Sequence, residues 1–140
     1  MKDFTLYPEA LELKQLGFDE PCFAYYKDGR ITGVNKWDRE DWGFHVITSK
    51  EITSVTSEIV IAPTYSQAFR FFREKYNLKS IIWSGKISTV FYGYDILNIE
   101  EQKFIVNNSE NGGGECDYES YEHSEYECLK KLIELVKNGR

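Results

Sequence analysis

The stretch APTYSQAFRFFREKYN, residues 62–77, constrains the fold of this chain more than any other. Thr64 followed three residues later by Gln67 is a capping box, in which each side chain satisfies a backbone donor that a helix start leaves open. Tyr65, Ala68, Phe69, Phe72 and Tyr76 then recur at i, i+3, i+4, i+7 and i+11, one broad apolar stripe, with Arg70, Arg73 and Glu74 away from its centre. A helix this short is marginal in water unless its apolar face is covered. The stripe therefore demands a sheet to pack on.

Strand signals supply one. CFAYYKDGRITGV, residues 22–34, sets Asp28-Gly29 between β-rich flanks, the composition of a tight two-residue hairpin turn. KSIIWSGKISTVFYGYDILN, residues 79–98, reads as a second hairpin broken at Ser84-Gly85, and QKFIV, residues 102–106, as a further strand. Residues 35–48 read as a polar loop carrying Trp37 and Trp42 that leads into a strand at 43–48, and the stretch to residue 57 as a weak or edge strand.

Two more helices complete the pattern. In LYPEALELKQLGFDEP, residues 6–21, Pro8 suits a first turn and Ala10, Leu13 and Leu16 fall at helical spacing. Gly17 ends that helix in the left-handed conformation, and Phe18 folds back on the last turn. The last helix spans about 121–137, capped by Ser120, with Cys128, Leu129, Leu132, Ile133 and Val136 as its buried stripe and Asn138-Gly139 as its stop. Glu122, Glu125 and Glu127 suit the positive end of its dipole, and Glu127 and Lys131 are spaced as an i, i+4 pair. These elements predict one α+β domain over residues 1–140: an antiparallel sheet with a short N-terminal, a central and a C-terminal helix packed on it, or an α/β/α sandwich if the long helices take opposite faces.

The 140 residues are enough for one core without staples, and a 41% hydrophobic, 16% aromatic composition rewards collapse. The acidic, interrupted first residues fit neither a secretory signal nor a transit peptide, and no segment approaches the ~20 apolar residues of a membrane helix. The expectation is a cytoplasmic protein. Cys22, Cys116 and Cys128 form no CxxC pair, which predicts thiols, at least two of them buried.

Charge is unevenly placed. The net charge is -6, yet residues 104–129 hold seven acids and no Lys or Arg, leaving 16 acids against 17 bases elsewhere. An acidic patch on a nearly neutral body disfavours nucleic acid, whose binding needs cations to displace phosphate counterions, and suits a partner with a basic surface. The first half, helix, strands and helix, still admits an RNA-binding module of the double-stranded-RNA type. Its second helix, however, opens TYSQAF with no Lys or Arg before Arg70.

Chemistry near the tail is weaker than its letters suggest. Cys116, His123 and Cys128 are spaced by seven and five residues, unlike common zinc pairings, and five helical residues turn His123 and Cys128 roughly 140° apart. The expectation is no metal and no cofactor. The glycine triplet at 112–114 lacks the GxxxxGK[ST] pattern of a phosphate cradle, and neither histidine, His45 or His123, has a nucleophile in a recognisable elbow. The balance is against an enzyme, with a hydrolase built from convergent carboxylates or a metal as the residual catalytic alternative. The candidate partner-binding residues are Trp37 and Trp42, large rings within a charged stretch, and Glu115, Asp117 and Glu119.

Three blocks carry a family resemblance: LKQLGFDEPCFAYY at 13–26, APTYSQAFRFFREKYNL at 62–78 and YESYEHSEYECLKKLIELVKN at 118–138. Together they resemble an uncharacterised group of small proteins of gut anaerobic bacteria and their phages or prophages. Phe72 takes a position where that group has Trp or Phe, and Tyr126, Glu127 and the acidic run depart from its smaller, more apolar choices. The resemblance implies a shared fold and no catalytic residue. It also implies a phage- or mobile-element-associated setting, in which a small acidic protein acts by binding a host protein.

Overall fold

The structure, a computed structural model, describes residues 3–33, 59–110 and 117–139. The expected strands at 43–48 and up to 57 lie outside the described residues. The chain gathers into two compact units, residues 1–66 and 67–140.

In the first unit α1 (Tyr7–Gln15) is followed by β1 (Ala24–Lys27), β2 (Arg30–Gly33) and β3 (Ile59–Ala62). Pro8 lies in the first turn of α1, as the sequence predicts. At its other end the N–H of Gly17 donates to Lys14 O and that of Phe18 to Leu13 O, while Gly17 has φ 92°. This is the full paired-bond stop, and Phe18 and Leu13 are both buried beside it. Asp28 and Gly29, at φ 50° and 76°, make the predicted hairpin turn with Lys27 opposite Arg30.

The sheet order is β2-β1-β3, all antiparallel. Ala24 and Tyr26 on β1 stand opposite Ala62 and Val60 on β3, so one face presents small and medium side chains. Ala10 of α1 joins these four in the core, with Phe4, Tyr7, Leu11 and Ile31 packed around them. Alanines at three of the five core positions let the helix backbone approach the sheet closely. The N-terminal residues extend the arrangement: the Thr5 N–H donates to Pro63 O, and the Tyr65 N–H donates to Asp3 O.

The central helix, α2 (Tyr65–Tyr76), begins at the residue after Thr64. Tyr65, Ala68 and Phe72 are buried as the stripe predicts, Phe69 and Tyr76 only half-buried, and Phe71 is buried as well. Phe71 meets both Phe72 and Tyr76 edge-on and lies under the Lys75 ammonium, which widens the apolar face.

In the second unit β4 (Leu78–Lys86), β5 (Val90–Asn98) and β6 (Lys103–Asn107) form an antiparallel sheet in chain order, and α3 (Tyr121–Lys137) packs on β5 and β4. The α+β class therefore holds, with the strands divided between two three-stranded sheets. The second hairpin does not turn at Ser84-Gly85. β4 runs straight through both residues, Ser84 facing Tyr92 and Gly85 facing Phe91, and the turn lies at residues 87–89. The two glycines of this hairpin are seats for rings: Phe91 lies over Gly85 and Trp83 over Gly93.

The buried stripe of α3 is Ser124, Cys128, Leu129, Leu132 and Ile133, with Val136 only half-buried. Ser120 is the predicted cap, its Oγ accepting from the His123 N–H at 3.1 Å. Gly139, at φ 80°, follows the last turn. The expected Glu127–Lys131 pair does not form: Glu127 takes Lys130 at 3.3 Å, and Lys131 turns to Glu134 at 3.0 Å. Both pairs use i, i+3 spacing, which the helix surface serves as well as i, i+4. Cys22 and Cys128 are buried thiols, and no helix is long and apolar enough to cross a membrane among the described residues.

Candidate partner-binding surface

The approach to α3 is held by the sheet itself. Tyr118 and Tyr92 exchange two backbone hydrogen bonds, of 2.9 and 3.0 Å, so residue 118 adds one rung to the free side of β5 beyond β6. Opposed residues of an antiparallel rung share a face, which places Tyr118 on the Tyr92 and Tyr94 side of the sheet. There its ring lies parallel to that of Tyr94, 4° apart with centroids at 6.3 Å. The His123 ring, one turn into α3, sits 4.7 Å from Tyr118, and Tyr121 meets Tyr92 edge-on at 6.2 Å.

The inner rings of this cluster are covered and the outer ones face water. Tyr94 is buried, whereas Tyr121 is 47% exposed and the His123 side chain 51%. Asp117, Glu119 and Glu122, their neighbours in sequence, are all exposed. Burial of part of its ring, and secondarily the Glu125 carboxylate, push the Tyr121 hydroxyl above its ordinary range. Tyr121 therefore stays neutral through the physiological range. His123 lies 3.8 Å from Glu127, a contact that becomes an ion pair only when the imidazole is protonated.

Of the residues singled out from sequence, Asp117 and Glu119 are exposed and flank Tyr118 in the chain. Trp37, Trp42 and Glu115 lie outside the described residues, as do Cys116 and the 112–114 glycines. His123 and Cys128 occupy opposite environments, the first half in water and the second fully buried in the α3 stripe, as their angular separation requires. Among the described residues no group of three His, Cys, Asp or Glu side chains is placed to hold a metal ion.

Sequence reasoning missed the tyrosines. Their signal was the period-2 spacing of Tyr92 and Tyr94, which marks one face of a strand, but its partner Tyr118 is fixed only by the register. A second polar cluster was missed as well. Asp95 is 3% exposed, and its Oδ1 accepts from Trp83 Nε1 at 3.2 Å and from the Asn108 and Ser109 N–H groups at 2.8 and 3.1 Å. The Ser109 hydroxyl donates to its Oδ2. Four donors on one carboxylate make it the anchor of the turn after β6, where an unpaired charge would be costly. With both oxygens engaged it is built to hold the turn.

The surface can offer a cation two kinds of attraction together, carboxylate oxygens and aromatic faces. Neither a family model, nor a curated protein, nor a solved structure matches this chain.

Proposed function

We propose that this chain is a non-enzymatic protein-binding module, associated with a phage or mobile element, that engages a host protein through a basic segment. The observation that carries the reading is the exposure of Asp117, Glu119 and Glu122 in the same short stretch as the exposed rings of Tyr121 and His123, a stretch without Lys or Arg. Arginine fits such a surface best, because its planar guanidinium can stack on a ring while its edge pairs with carboxylates. Charge of one sign on one patch also speeds the encounter with an oppositely charged partner. The phage setting is supported by the three sequence blocks of the resemblance, and neighbouring genes without phage or mobile-element character would remove it.

The test is the binding of an arginine-rich peptide, followed by fluorescence anisotropy at low and physiological salt. The triple variant Asp117→Asn/Glu119→Gln/Glu122→Gln should weaken binding by about tenfold or more, on the order of 1.4 kcal/mol, while leaving thermal stability nearly unchanged. Tyr121→Ala should weaken it in a way that salt does not mask. Equal affinity of the wild type and the triple variant would sink the reading.

A further inference from the structure

β4 stands at the margin of its sheet, and among the described residues no strand but β5 pairs with it. One hydrogen bond fixes which of its backbone groups point outward. The Ile99 N–H donates to Asn77 O, and these two residues face each other in the continued β4–β5 register. A bond between directly opposite residues of an antiparallel pair means that both turn their polar groups inward, and the pattern alternates from there. Odd-numbered residues of β4 therefore bond to β5. Leu78, Ser80, Ile82, Ser84 and Lys86 point their N–H and C=O groups away from the sheet, and no hydrogen bond of those groups forms among the described residues.

A margin of nine residues without proline, open among the described residues, invites another strand. We propose that β4 pairs with β4 of a second copy of this chain, antiparallel about a two-fold axis through Ile82. Three features of the strand suit a second copy. First, the five outward residues are symmetric about Ile82, so one register bonds all of them: Ile82 to Ile82, Ser80 to Ser84 and Leu78 to Lys86, the last two pairs occurring twice. Second, two-fold pairing joins only residues whose numbers are both odd or both even, so Lys79 can never face Lys86. The charges that would block edge pairing sit instead opposite Gly85 and Leu78. Third, Ile81 of each copy faces Trp83 of the other, bringing together apolar groups that are half-buried in the single chain.

Sedimentation from micromolar to hundreds of micromolar chain, a span on the order of 100-fold, tests the pairing. The expected result is a shift from 16.4 kDa to twice that mass. Ser84→Pro removes an outward N–H that β5 does not use, and should weaken the dimer by about tenfold or more with an unchanged circular dichroism spectrum. A charge pair reads the register itself: Ser80→Lys/Ser84→Lys sets like charges opposite each other and should give a monomer, whereas Ser80→Lys/Ser84→Glu sets opposite charges there and should restore the dimer. A wild type that stays monomeric throughout overturns the proposal. So does a dimer indifferent to Ser84→Pro, or one that responds alike to both charge combinations, since either would place the interface elsewhere or in another register.

Discussion

Trp83 and Gly93 face each other across β4 and β5, and a methyl group at residue 93 would fall within the van der Waals radius of the indole. The ring has little freedom to withdraw, because its Nε1 is bonded to the buried Asp95 carboxylate and it meets the Phe91 ring in a T-shaped pair with centroids 6.0 Å apart. Gly93→Ala should therefore cost about 1–3 kcal/mol, the usual price of overpacking. The cost has one identified source, so it should largely vanish in a Trp83→Ala background. A double-mutant cycle by urea denaturation should then show a coupling of about 1 kcal/mol or more between the two positions. Additive effects would mean that glycine is present at 93 for some reason other than the ring. Gly85 under Phe91 repeats the device two residue pairs further along, where an added methyl would lie 2.6 Å from the ring tip.

At the scale of elements, the stop of α1, both ends of α3 and the first turn were legible in the sequence, and the stop of α2, where Asn77 takes φ 56°, and the second turn were not. Gly17, Ser120, Asp28-Gly29 and Asn138-Gly139 act through neighbours within a few residues, and local chemistry was enough to place each of them. Gly17 gives the sharpest check: at φ 92° any side chain is strained, and Gly17→Ala should cost about 1 kcal/mol in thermal or urea unfolding. An unchanged midpoint would mean that the two hydrogen bonds after α1 do not need that conformation. Ser84-Gly85 carried the same local signature, but Gly85 is there for a ring six residues away in sequence, a relation that exists only once the strands pair. Tyr118 and the Asp95 anchor were hidden for the same reason. Asp117 and Glu119 stand out in the sequence because charge distribution needs no register, whereas the rings of Tyr92, Tyr94 and Tyr118 come together only through the sheet.

At the scale of the whole molecule, Tyr26 in the first unit and Tyr121 in the second carry hydroxyls that resist ionisation, and this bears on how stability changes in alkali. Tyr26 in the first unit is buried, and its hydroxyl donates to Thr5 O at 2.7 Å. Burial first, and the Glu9 carboxylate second, raise it above the ordinary value near 10. Burial and Glu125 do the same to Tyr121 in the second unit. A raised value in the folded state means that above about pH 10 the unfolded chain gives up protons that the folded chain retains. Stability is therefore fully present below the unfolded value and falls as pH climbs past it toward the folded one. Tyr26→Phe has nothing to ionise, and at neutral pH it should lose only the hydrogen bond, about 0.5–1.5 kcal/mol. Its stability should then decline less steeply than that of the wild type between about pH 9.5 and 11, so the two curves converge in alkali. Lysine deprotonation acts on both proteins alike and cancels in the difference. Urea midpoints measured across that range decide the matter: parallel curves would show that the Tyr26 hydroxyl ionises as freely in the folded chain as in the unfolded one.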